Sequence, residues 1–467
     1  MNNIGQKLWS FCHILRHDGV DYGDYIEQLT FLLFLKMSDE RGLEVVEKYS
    51  WPTLLKLTGT DLRAHYADTL SYLEKQPGLL SKIYRNAVLH ITNPENLQKL
   101  IKLIDGIDWS GIDIDVKGEA FEDLLERSAS EGKKGAGQYF TPRPLIHSIV
   151  RVMKPDPRDS EDFSVSDPAC GTAGFLVAAR EWLHQETGNK LPKKVAERVR
   201  SHTYFGYELV PRPARLAMMN LFLHDVTTEV HIGDTIYNSF DGRTHTCILA
   251  NPPFGTKGVD KAPSRTDFFL KTTNKQLNFL QHIYSALKQG GRAAIVLPDN
   301  VLFEDKAGQL FQELLETCNL HTILRLPQGT FTPYAQGVKA NVLFLQKGPI
   351  TEKVWIYDAR TNVLGFTKNA RPLTNMFFEP FEAAYGSDPN GQAPRSVNER
   401  FRSFTIDEIK FRRYNLDITW LRDESLVTRG NGDPAESARR MLASLETAVE
   451  DVKKLIALLE KKQPVTA

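Results

Sequence analysis

Between residues 138 and 347 short β-rich runs alternate with helical segments, and no other feature narrows the fold of this chain so far. The candidate strands are Phe163 to Ser166, Thr203 to Tyr207, Glu229 to Ile232, Thr246 to Ala250, Ala293 to Leu297, Thr322 to Leu326 and Val342 to Leu345. Helices fit Gly174 to Glu186, Arg212 to Leu223 and Asn274 to Lys288. This alternation predicts an α/β unit built on a seven-stranded, mostly parallel sheet. Ligands of such sheets gather at the carboxyl ends of the strands, so the residues that follow each strand carry the functional information.

The flanking regions read differently. Residues 1–130 are expected to form a helical domain, with Tyr25 to Met37 apolar on nearly every side, as in a helix inside a bundle. Phe121, Leu124 and Leu125 make another amphipathic turn ahead of Arg127. From Ser128 to Gly137 glycines and small polar residues break the periodicity and predict a flexible connection. The α/β domain is assigned to 131–350. An extension over 351–430 follows, in which no period is visible. In the last segment, 431–467, Leu442, Leu445, Val449, Val452, Ile456 and Leu459 alternate spacings of three and four, flanked by Glu446, Glu450, Lys453 and Lys454. That a/d seam predicts a terminal helix that packs on its own domain or docks on a partner.

Composition removes several function classes. The densest apolar stretch, Phe31 to Leu35, is far too short to span a bilayer, and Met1 to Lys7 lacks the features of a secretory signal. Only four cysteines occur, none in Cys-x-x-Cys spacing, so neither a zinc cluster nor a redox pair is expected and the cytoplasm is the expected compartment. His13 and His17 share a helix face, but no Glu follows His13, so no metal is expected there. Lys plus Arg (58) equals Asp plus Glu (58). A chain that bound DNA alone would ordinarily carry a basic excess, so a neutral one concentrates its basic residues locally or borrows a partner's surface.

The strand ends carry a coherent set of groups. After the first strand stands Asp167-Pro168-Ala169-Cys170-Gly171-Thr172-Ala173-Gly174-Phe175, a glycine turn that opens a helix. It matches neither the dinucleotide fingerprint nor a phosphate loop, and Asp167 favours a cationic ligand. S-adenosylmethionine fits, having an ammonium and a sulfonium and no phosphate. Glu208 ends the next strand, where a carboxylate accepts from ribose hydroxyls, and Asp234 follows the third, where it can accept from an adenine amino group. The fourth strand ends in Asn251-Pro252-Pro253-Phe254. The lone pair of an aromatic amino group is delocalised into its ring. Acceptors at its two hydrogens, here the Asn251 side-chain oxygen and the Pro252 carbonyl, draw it toward tetrahedral geometry and stabilise the developing positive charge. The prolines fix the backbone, and Phe254 offers a stacking face to a base taken out of the helix.

Gln138-Tyr139-Phe140-Thr141-Pro142, the Asp167 turn, Glu208, Asp234 and the Asn-Pro-Pro-Phe tetrad follow in the order found in N6-adenine DNA methyltransferases. With Glu208 to Leu221 and Tyr414-Asn415-Leu416-Asp417, the chain most resembles the modification subunits (HsdM) of type I restriction–modification systems. The resemblance implies a Rossmann-like S-adenosylmethionine-dependent methyltransferase sheet with a helical N-terminal domain and a helical C-terminal tail. It implies that Phe140, Thr141, Asp167, Gly171 and Gly174 surround the methionine part of the cofactor, and that Gln138, Tyr139, Thr172 and Phe175 also take part in cofactor binding. Glu208 would hold its ribose and Asp234 its adenine. It further implies that a separate specificity subunit chooses the DNA site, flanked by two copies of this chain, and that a restriction motor subunit can join. Many family members have glycine at the position of Ala173; a methyl group there reads as a small change.

Other activities lack their residues. Cytosine C5 methylation needs a cysteine nucleophile, ordinarily in Pro-Cys, which is absent; cytosine N4 methylation would favour Ser in place of Asn251. Without a phosphate loop the chain is not expected to hydrolyse ATP. Lys133 and Lys134 fit a solvated loop and DNA phosphates equally. The rival readings are methylation of an RNA base or a protein glutamine, and a non-catalytic subunit that retains the fold for assembly.

Overall fold

A computed structural model describes residues 3–422 apart from 17–18, 41–44, 108, 110–113, 132–140, 189, 229, 256–260, 305, 333–334 and 336, together with Leu442 and Val449. Gln138, Tyr139, Phe140, Lys133, Lys134 and most of the C-terminal seam lie outside the described residues, as do the side chains of His13 and His17. Leu442 and Val449 are helical and exposed.

The N-terminal region is helical, as expected. Its central helix, Tyr22–Glu40, is buried along nearly its whole length. Buried polar groups there find partners: Thr30 Oγ1 donates to Ile26 O at 2.7 Å, and Gln28 Nε2 donates to Val88 O at 2.8 Å. Asn93 caps Pro94–Asp105 by accepting from Glu95 N, with proline at the first helical position, where its missing N–H costs nothing. The following helix, Ile114–Glu131, runs further than the sequence suggested. The predicted break at Ser128 is not there, because Ser, Ala and Glu all tolerate helix and the first glycine stands only at position 132.

The α/β region forms one sheet from β1 (Val165–Asp167), β2 (Tyr204–Glu208), β3 (Val230–Ile232), β4 (His245–Ala250), β5 (Leu287–Pro298), β6 (Cys318–Arg325), β7 (Ala340–Lys347), β8 (Lys353–Asp358) and β9 (Phe401–Thr405). Their order is β3-β2-β1-β4-β5-β7-β6-β8-β9. β1 to β5 are mutually parallel, and β7 inserts antiparallel between β5 and β6. All seven predicted strands are present. The count is nine rather than seven, because β8 pairs parallel with β6 and β9 pairs antiparallel with β8. Both lie in the segment where no period was visible. The residues Val354 to Asp358 are buried on both faces, which erases the alternation by which a half-exposed strand is recognised.

The two faces of the sheet carry separate cores. One is continuous with the N-terminal bundle, joining Phe31, Phe34 and Leu35 to Phe222, Leu176 and Val296. The other packs the helices Lys275–Ala286 and Ala307–Thr317 with Ile409, Leu416 and Ile418. Ion pairs fasten the bundle to Pro211–Leu223, the helix after β2: Arg212 with Asp24 and Glu27, and Arg215 with Glu27. The ligand atoms of Asp24, Glu27 and His90 lie within 4.8 Å of one another, but the two guanidiniums already occupy both carboxylates. No described helix is long and apolar enough to cross a membrane.

Candidate active site

β1 stops at Asp167, whose side chain is buried and accepts from Ala169 N at 3.0 Å. Burial pushes its carboxyl up to about 8, with the Glu208 carboxylate adding to the rise. The chain then turns through Gly171, at φ +54°, and Ala173, at φ +67°, into the helix Gly174–Thr187. Open space lies where a Gly171 side chain would project. Gly174 answers a packing need, since a Cβ there would meet Ile146 Cδ1 at 3.1 Å. Phe175 is buried in the core. The Thr172 carbonyl accepts from Asn220 Nδ2 at 3.0 Å.

β2 lies beside β1 in register, Asp167 opposite Gly206, and this brings Glu208 to the same turn. Glu208 Oε2 accepts from Gly171 N at 3.0 Å and Oε1 from Val210 N at 2.9 Å. Burial raises its pKa, while the N–H groups of Val210, Gly171 and Leu209 oppose the rise. Its carbonyl accepts from Gly233 N at 3.0 Å, which ties β2 to the loop of Asp234. Asp234 Oδ1 accepts from Ile236 N and Tyr237 N, both at 2.9 Å. Thr235 Oγ1 donates to Pro168 O at 3.3 Å, closing the circuit back to the first turn.

β4 pairs with β1 on its other side, so Asn251 follows the same sheet edge as Asp167. Asn251 Nδ2 donates to Thr141 Oγ1 at 2.8 Å, and Oδ1 is buried with no hydrogen-bond partner among the described residues. Pro252 is buried, and Pro253 and Phe254 are half-buried. The Phe254 ring meets Phe331 edge to face, centroids 5.2 Å apart. The structure thus brings Thr141, Asp167, Gly171, Glu208, Asp234 and Asn251–Phe254 to one edge.

Sequence reasoning missed three supporting residues. Asn220 braces the turn after β1 through Thr172 O and also donates to Glu122, on the helix Ile114–Glu131, at 3.4 Å. Arg265 is nearly fully buried: it forms a double bond pair with Asp267 (2.7 and 2.6 Å), donates to Thr235 O at 2.8 Å and lies over the Phe268 ring at 4.4 Å. It therefore links the segment after the tetrad to the loop of Asp234. The cue was an arginine two residues before an aspartate among aromatics. Gln276 donates through Nε2 to Pro253 O at 3.1 Å and Gly255 O at 2.7 Å. Its only cue was its place just after Asn274, at the start of the helix that follows the tetrad.

Residues 112–425 match the N-6 DNA methylase family and residues 4–105 the HsdM N-terminal domain. The chain belongs to the N-6 DNA methylase family and is a DNA methyltransferase. Its relatives within that family are specific. It is 38% identical to the methylase subunit of the type I restriction enzyme StySJI of Salmonella typhimurium, over 91% of this chain and 89% of that one. It is 37% identical to the EcoKI methylase subunit of Escherichia coli, over 97% and 95%. A chain from a solved structure on complex assembly in a type I restriction–modification system superposes with a TM-score of 0.74 at 26% identity, covering 99% of each.

Proposed function

We propose that this chain transfers a methyl group from S-adenosylmethionine to N6 of an adenine swung out of duplex DNA, as the modification subunit of a type I restriction–modification complex. One observation carries the reading: among the described residues no donor meets the buried Asn251 Oδ1, at the end of the strand beside the carboxylate-lined turn. A lone buried acceptor is unfavourable unless a substrate completes it. The Thr141 hydroxyl, by accepting from Nδ2, orients that oxygen.

The groups at the ends of β1 to β3 suit S-adenosylmethionine. Rigidly held carboxylates meet hydroxyl, amino and ammonium groups, the turn at Gly171 leaves open space, and no phosphate loop is present. When bound, the cofactor supplies an electrophilic methyl group. Glu208, fixed by two backbone N–H groups, retains lone pairs for ribose hydroxyls. Asp234 would keep Oδ2 for the adenine amino group, and Asp167 would release its proton to solvent as a cationic group binds beside it. Asn251 Oδ1 and the Pro252 carbonyl accept the two hydrogens of the target amino group, freeing its lone pair and stabilising the charge that develops on it. Phe254 stacks on the flipped base.

The neutral charge balance supports delegating sequence recognition to a specificity subunit flanked by two copies of this chain, with a restriction subunit able to join. Four buried cysteines that form no disulfide among the described residues accord with work in the cytoplasm. The test is to incubate the chain, with its specificity subunit, with labelled S-adenosylmethionine and duplex DNA, then to analyse the nucleosides. N6-methyladenine is expected, and Asn251→Ala should slow its formation by on the order of 10²- to 10³-fold. Label in RNA, in protein or in a cytosine would overturn the reading.

A further inference from the structure

We propose that Gln276 is a positioning residue of the transfer loop: its side-chain amide holds the carbonyls on either side of Phe254 and so sets where Asn251 and Pro252 present their acceptors. This rests on the reading of the tetrad given above.

Gln276 is fully buried in the first turn of Lys275–Ala286. Its own position is fixed, because its backbone N–H donates to Asn274 Oδ1 at 2.9 Å and the Asn274 amide is in turn bonded to Glu304. From there Nε2 spends both hydrogens on the loop, on Pro253 O and Gly255 O. Gly255 stands at φ +129°, a backbone conformation that favours glycine, so the second carbonyl reaches Gln276 through a turn that other residues resist. The far end of the loop is held through Asn251 by Thr141. The tetrad is thus fastened at both ends, with Phe254 between the two carbonyls that Gln276 holds.

The other half of the amide separates positioning from filling. Gln276 Oε1 is buried with no hydrogen-bond partner among the described residues. Leucine or methionine would fill the same volume without leaving an acceptor unsatisfied. The amide is accounted for by its donors. By taking up the carbonyls of residues 253 and 255, Gln276 leaves the Asn251 side-chain oxygen and the Pro252 carbonyl to face the substrate, and small displacements of such groups have large effects on rate.

The test uses the complex with the specificity subunit, duplex DNA and S-adenosylmethionine. Gln276→Glu keeps the shape but, when ionised, turns two donors into acceptors facing two carbonyls; protonated, it regains one donor. At pH 8 kcat should fall on the order of 10- to 100-fold, with cofactor Kd within about threefold of the unmodified protein; the buried charge also lowers the melting temperature, so Gln276→Met, which buries none, serves as the stability control. Relative to the unmodified protein, activity should recover as pH drops to 6. Gln276→Met should lower kcat by a similar factor at every pH, without that recovery. The proposal is overturned if both variants keep kcat within about twofold, or if the Gln276→Met loss appears equally in cofactor Kd and melting temperature. Asn251→Ala, run in parallel, separates the two ideas. If it is slowed while the Gln276 variants are normal, only the positioning role fails; if it is not slowed, the function reading fails.

Discussion

Two stretches of one sheet edge, the ends of β1 to β3 and the end of β4, satisfy their polar groups in opposite ways. At the first, both Glu208 oxygens and one oxygen each of Asp167 and Asp234 already accept backbone N–H groups. At the second, among the described residues, Asn251 is tied through its donor and its buried oxygen faces no donor. The carboxylate side is organised by its own main chain before any ligand arrives, which is how a binding site limits the entropy it loses. The β4 side is left incomplete, which is how a site reserves its interactions for the transition state. Binding and transfer should therefore separate under mutation.

The sharpest way to break that comparison is Asn251→Ala. Loss of one acceptor aimed at developing charge should lower kcat by on the order of 10²- to 10³-fold, with cofactor Kd within about threefold; single-turnover methylation and calorimetry measure the two. A parallel loss in Kd would merge the two regions. Glu208→Gln should do the reverse. It turns an amide NH2 toward Gly171 N–H or Val210 N–H, so cofactor Kd should weaken about 10- to 100-fold, with kcat at saturating cofactor within about threefold.

A smaller effect should appear in pH dependence. Asp167, raised to about 8 by burial, is protonated at neutral pH and must ionise to hold a cation. Cofactor affinity should therefore rise between pH 6 and 8, by up to about tenfold per unit, and level off above. Calorimetry should show proton release at pH 7, and Asp167→Asn should abolish both. Smallest of all should be Ala173→Gly. Ala173 is fully buried in the left-handed region, so it carries roughly 1 kcal/mol of backbone strain, offset by about 0.8 kcal/mol from its buried methyl group. Stability should change by less than about 1 kcal/mol and cofactor Kd by less than about twofold, measured by denaturant unfolding and titration.

How far each half was legible in the sequence follows its chemistry. Asp167, Glu208, Asp234 and Asn251 could be found because each ends or closely follows a strand whose apolar run is visible along the chain. Gln276 and Arg265 could not, because a glutamine at a helix start and an arginine near an aspartate resemble solvated surface until tertiary contacts bury them. β8 was missed for a related reason: burial on both faces removes the period-two signal. Ala173 read as a harmless methyl group, and its left-handed backbone became visible only in the turn itself.

Local order was therefore the sequence's to determine: seven strands, the helices between them, and the polar residue that ends each of β1, β2 and β4. These follow from periodicity and turn chemistry, which act over a few residues. Tertiary structure alone decided which ends share an edge, that β8 and β9 extend the sheet, and that Thr141 and Gln276 fasten the tetrad from 110 and 21 to 23 residues away. A hydrogen bond between distant residues leaves no local pattern, since it depends on where packing brings its two groups and on the exclusion of water that makes each unpaired one costly.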